Sequence, residues 1–301
     1  MKDSVTLGYF LLFALGVCWT LIAITVSEAK SRNCNIFIFY CVGSFLAMLL
    51  LTVLGGLPLL RELTSPEKRF AIGCFAVCSF FNGTGQGITM WNLKKGGRAL
   101  AYAIPQLSFL LPFLWSIFFC SQRLTWYSCS GISLIVASSL YLSMGRHQGS
   151  NSELELKRIF ISIAAMIMCG ISQILLIIPT QFPAEKALSP LTSSWVILAA
   201  NAFFFLILLL SSKDRKSLDL KLAVKCGSFW GVFAAMSYCV LLPTMRILGK
   251  VGKSGIVFAV GCGMTITLFT LFTVIRYHEK QSIERWLAFA GIIIGIILVR
   301  I

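Results

Sequence analysis

The stretch Phe80–Pro105 reads FFNGTGQGITMWNLKKGGRALAYAIP. It begins inside one apolar run, crosses a short basic turn and enters the next run. Asn82, Thr84 and Gln86 alternate with Gly83, Gly85 and Gly87 within the first of these runs. Side-chain amides are costly in a bilayer unless they face protein or a water-filled cavity. Nowhere else does the chain set so many hydrogen-bonding groups and glycines inside an apolar run. The stretch is therefore expected to form part of a polar lining within a membrane-embedded bundle.

The rest of the chain supplies the membrane. Of 301 residues, 57% are hydrophobic and 12% charged, where a soluble domain carries roughly a quarter charged residues. The mean hydropathy is +0.87. Uncharged runs recur along the whole sequence, each near the roughly 20 residues that cross a bilayer core. The net charge of +15 would suggest nucleic acid in a soluble protein. Here the Lys and Arg residues fall between apolar runs, where they set topology and meet lipid headgroups. The 11 cysteines are scattered, with no CxxC or Cys/His grouping, so neither a metal site nor a disulfide framework is expected. No cofactor is expected either. The first run, following Met1-Lys2-Asp3, continues past twenty residues without an A-x-A cleavage pattern and reads as a retained helix.

Ten spans follow from these runs, at roughly 4–26, 35–58, 70–92, 99–120, 124–144, 159–180, 190–211, 224–245, 254–275 and 283–300. The polar segment GRHQGSNSELELKR at 145–158 lies at the centre of the chain. It divides a first five-helix repeat (1–146) from a second (159–301), with a linker at 147–158. Residues 97–144 align with 254–301 without gaps, polar turn on polar turn and glycine- or serine-bearing helix on helix. Because five is odd, a duplicated unit enters the membrane inverted, the plan of many secondary transporters, whose sites lie at the repeat interface near the midplane. The fold class expected is thus all-α integral membrane, ten helices in two inverted five-helix repeats. The odd-numbered loops hold 16 Lys and Arg against 10 elsewhere, which leans toward cytoplasmic odd loops and both termini outside.

This pattern resembles the drug/metabolite transporter superfamily. The segment HEKQSIERWLAFAGIIIGIILV (278–299) is similar to the closing motif of its EamA-type repeats, with Glu279 at the usual acidic position and Gln122 at the corresponding place in the first half. The glycine- and amide-rich third span, the Ala101-Tyr102-Ala103-Ile104-Pro105-Gln106 segment and the outside N-terminus look more like the rhamnose–proton symporter and glucose/ribose porter branch. The resemblance implies a multi-pass protein of the cell (inner) membrane that moves a small molecule, with H+ or Na+ as a coupling ion.

The spans hold no Asp, Glu, Lys, Arg or His well inside them, so nothing balances a charged ligand at the midplane. A neutral or zwitterionic ligand rich in hydroxyls fits better. Asn82 and Gln86, one turn apart with Ser79 a turn earlier, stack on one helix face and offer donors and acceptors suited to a polyol. Interhelical bracing is the plainer role of such amides, and the Gly83/Gly87 pair reads first as close packing. Gln106 follows Pro105, which frees the carbonyl of Ala101. Gln173 in the sixth span, Trp230 and Tyr238 in the eighth and Trp19 in the first complete the expected binding residues. The aromatics can stack on a sugar's C–H face while bonding a hydroxyl, although Trp230 fits an interfacial anchor as well. Asn201 is deep but alone and reads as packing. Gly291 and Gly295 give the last helix a small-residue face, suited to packing within the chain or to a homodimer.

The function expected is a secondary transporter of a small neutral metabolite, a sugar first and an amino acid or other metabolite of an EamA-type exporter second. An intramembrane transferase would need acidic clusters to hold metal–diphosphate. The longest connections carry only scattered carboxylates, Glu153, Glu155, Asp214 and Asp219, so no enzyme is expected. A channel or receptor has no use for the repeat. No nucleotide-binding loop is present.

Overall fold

The computed structural model describes residues 2–32, 34–94, 104–120, 125–144, 152–183, 185–211, 220–277 and 282–300. These form ten helices. They are α1 (Lys2–Ser31), α2 (Ile36–Thr64), α3 (Arg69–Lys94), α4 (Ile104–Phe119), α5 (Trp126–Met144), α6 (Ser152–Ile177), α7 (Pro190–Ser211), α8 (Leu220–Gly249), α9 (Ile256–Tyr277) and α10 (Ile283–Arg300). All ten fall on the apolar runs of the sequence. Six of them, α1, α2, α6, α7, α8 and α9, are long and apolar enough to cross a bilayer by length and composition. The apolar parts of α4 and α10 are shorter.

Two boundaries differ from the sequence expectation. α6 already begins at Ser152, so residues 152–158 of the expected linker are helix. α2 runs on to Thr64 but is broken at Gly56, whose φ of 49° and ψ of −140° no helix contains. Pro58 follows and removes one backbone donor, so Gly55-Gly56-Leu57-Pro58 marks where the long membrane helix gives way to a short second one.

The helices group into two compact units, one of residues 1–83 and 175–247, the other of 84–174 and 248–301. The division falls within α3, and each unit takes helices from both halves of the sequence.

In the first unit α2 lies along α7. Asn201 of α7 donates to Ser44 Oγ of α2 at 2.7 Å, and Trp195 Nε1 donates to Thr52 Oγ1 at 2.8 Å. Ser79 Oγ of α3 reaches the Ile197 carbonyl at 2.7 Å. α8 approaches α2 through glycines: a Cβ on Gly43 would lie 2.6 Å from the Gly227 carbonyl oxygen. Tyr40 stacks on Phe205, with Trp230 edge-on to Tyr40 at 5.1 Å. At one end of this unit the Glu62 carboxylate accepts the Ser189 N–H at 2.9 Å and pairs with Lys68 Nζ at 3.1 Å. Ser189 precedes the first residue of α7, so Glu62 sits at that helix's positive end. Arg246 donates to the Leu188 carbonyl at 2.8 Å.

In the second unit α10 packs on α5, with α9 against both and against α4. A Cβ on Gly295 would meet the Gly131 carbonyl oxygen at 2.7 Å, and one on Gly291 would run into Ser138 Oγ. The small-residue face of α10 is therefore filled from within the chain. The homodimer expected through that face has its surface already used by α5.

Candidate functional site

The central feature is one stripe of α3. At about 100° per residue, Phe75, Cys78, Ser79, Asn82, Gln86 and Thr89 lie on one side of the helix. Phe75, Cys78, Ser79 and Thr89 are buried, while Asn82 and Gln86 between them are half-buried. The exposed positions Phe70, Val77, Phe80 and Trp91 lie on the other side. Asn82 and Gln86 are thus less covered than the other residues of the stripe.

The neighbouring glycines have separate jobs. A Cβ on Gly83 would stand 2.5 Å from Cδ1 of Phe204, in the first unit. In the second unit, a Cβ on Gly85 would stand 2.5 Å from Cys169 Sγ. Gly87 differs, since nothing lies within 4 Å of its ideal Cβ. Of the expected Gly83/Gly87 packing pair, Gly83 packs and Gly87 looks onto open space. Further along α3, Asn92 is buried and donates to the Arg158 carbonyl at 3.1 Å and to Ser162 Oγ at 2.9 Å, bracing α3 on the start of α6.

The remaining expected residues divide between the units. In the first, Trp19 and Tyr238 are half-buried, and Tyr238 packs against the core around Tyr40 and Trp230. Trp230 itself is 6% exposed, within 6.0 Å of Phe39 and edge-on to Tyr40. That burial suits neither an anchor at the lipid surface nor a ring with a face to spare for stacking. In the second unit Gln106 is half-buried at the head of the 3-10 turn Leu107–Phe109 and caps nothing there. Gln173 of α6 donates from Nε2 to Ser108 Oγ of α4 at 3.0 Å, so the structure joins these two elements through a serine that sequence reasoning passed over. Glu279 and Gln122, of the closing motif, lie outside the described residues.

An all-helical chain with six helices long and apolar enough to cross a bilayer is a multi-pass membrane protein. Residues 6–144, just under half of the chain, match the model of the EamA-like transporter family. The crystal structure of another protein superposes on 97% of this chain and 96% of its own with a TM-score of 0.71. At 17% sequence identity it supports the fold alone. No curated protein matches the sequence.

Proposed function

We propose that the chain is a secondary carrier that moves a small neutral polar metabolite, with a sugar as its substrate class, by alternating access between two inverted five-helix repeats. The observation that carries this reading is the lesser cover of the α3 stripe at Asn82 and Gln86. Asn82 and Gln86 are half-buried between buried residues of the same stripe, and that partial cover supports their meeting a ligand. Each amide can donate and accept, which is what a polyol asks of its site. Gln106 and Gln173 add the same chemistry. Tyr238 and Trp19, half-buried, offer aromatic surface with a polar tip, and Trp230 supports Tyr238 from the core. A coupling ion, H+ or Na+, belongs to the proposal only through the resemblance to symporters.

Uptake of radiolabelled monosaccharides and amino acids into proteoliposomes containing the pure protein tests the reading. Saturable, counterflow-competent sugar uptake is expected. Amino-acid flux without sugar flux would reassign the chain to the EamA-type amino-acid or metabolite exporters.

A further inference from the structure

Within the second unit, α6 closes tightly on α4. A Cβ on Gly170 would lie 2.7 Å from Leu111 Cδ2, so a side chain there would hold the helices apart. One turn after Gly170 stands Gln173, and one turn before Leu111 stands Ser108, 3% exposed. The Gln173–Ser108 hydrogen bond at 3.0 Å uses the donor end of the amide. The acceptor end is enclosed, and Gln173 Oε1 has no hydrogen-bond partner among the described residues. The two ends of this side chain therefore act in opposite senses. The bond to Ser108 favours the closed contact, and the stranded carbonyl opposes it by a comparable or larger amount. Buried side-chain acceptors in folded proteins are rarely left so.

We infer that Gln173–Ser108 is a poised contact between α4 and α6, held near balance so that it opens during the working cycle and frees the Gln173 amide for a hydroxyl. An opened contact satisfies the carbonyl and releases the serine at once, so little net free energy separates the two arrangements. The inference rests on the carrier reading only for the ligand that the opened amide would meet; the contact itself is tested with no ligand present.

The test uses the full-length protein in detergent, with Gln173→Met and Ser108→Ala compared with wild type by thermal unfolding and by hydrogen–deuterium exchange of peptides from α4 and α6. Methionine keeps the length of the side chain and removes both the bond and the stranded carbonyl. Gln173→Met is expected to melt about 1–3 °C higher and to exchange about two- to fivefold more slowly at these peptides, as the conversion of a net local stabilisation of that size implies. Ser108→Ala strands the amide entirely and is expected to melt lower and exchange faster. A contact with a merely structural role would lose stability in both variants. If Gln173→Met melts lower than wild type, or fails to fold, the inference is overturned. These outcomes do not depend on which substrate the carrier takes, so they stand or fall apart from the sugar reading.

Discussion

Replacing Asn82, Gln86 and Asn201 one at a time with alanine separates amides that bind from amides that brace. Asn201 is buried, and its Nδ2 donates to Ser44 Oγ at 2.7 Å across the α2–α7 contact. Truncation removes that bond and leaves a small cavity. Interhelical hydrogen bonds in membrane bundles average about 0.6 kcal/mol and reach about 1.7. A loss of about 1 kcal/mol is therefore expected, a fall of about 2–4 °C in Tm for a chain of this size. Asn82 and Gln86 are half-buried, so truncating them is expected to cost no more than about 0.5 kcal/mol of stability. Their effect on transport is expected to be larger. A ligand hydroxyl enclosed without its partner costs about 1–3 kcal/mol, which at about 1.4 kcal/mol per decade is a drop of about five- to 150-fold in sugar uptake at low concentration. Proteoliposome uptake and thermal unfolding, measured on the same preparations, give both numbers. Wild-type uptake in both the Asn82 and Gln86 variants would refute the assignment. So would a loss of stability in them as large as that of Asn201→Ala, since the amides would then be braces.

Gly295→Leu forces a side chain into the Gly131 carbonyl and the Ile135 side chain, each 2.7 Å from the ideal Cβ. It should destabilise the second unit by about 1–3 kcal/mol without changing the mass measured by light scattering in detergent. Glu62→Gln keeps a hydrogen-bond acceptor for the Ser189 N–H but loses the ion pair with Lys68 and the charge at the start of α7. A modest loss of about 0.5–1.5 kcal/mol is expected, and Glu62→Ala should cost more on a thermal melt, because the N–H is then left without its acceptor.

Hydropathy made the helices legible, and it could do so because a bilayer selects for apolar length above all else. The ten runs became ten helices. Helix ends were less legible where polar residues continue a helix, as at Ser152–Arg158, since hydropathy is blind to a helix that has left the membrane. The break at Gly56 was written in Gly55-Gly56-Leu57-Pro58, but an apolar count runs straight through it. For the site, the sequence picked out amides without saying what each one touches. Asn82, Asn92 and Asn201 look alike in their runs. What the runs do not show is the partner far away along the chain, 157 residues for Asn201 and Ser44, 66 for Asn92 and the Arg158 carbonyl. Ser108 was hidden for the same reason, one serine among many until Gln173 met it. Trp230 shows the converse error of emphasis. Its type and span suggested a stacking surface, yet its neighbours Phe39, Tyr40 and Gly43 close around it.

Where the charges lie decides which ligands the carrier can refuse. In the described helices every Asp, Glu, Lys and Arg falls within about two turns of a helix end. The half-buried Glu62 and Arg246 are matched locally, Glu62 with Lys68 and the Ser189 N–H, Arg246 with the Leu188 carbonyl. In the proposed site, the polar groups that the α3 stripe offers a substrate are the amides of Asn82 and Gln86 and the hydroxyls of Ser79 and Thr89. An amide dipole can solvate a hydroxyl well but cannot repay the desolvation of a full charge, which costs several kcal/mol when no counter-charge is supplied. Ionised analogues of a transported sugar should therefore compete poorly. Against labelled sugar uptake, the uronate and the amino-sugar of the same configuration are each expected to inhibit at least about 100-fold more weakly than the neutral parent. The two analogues have opposite signs, so equal rejection of both reports missing counter-charge rather than a repulsive field. If one of them competes as well as the parent, a charge of the opposite sign lines the path and the neutral-ligand reading fails. If both do, the amides are not what the sugar meets.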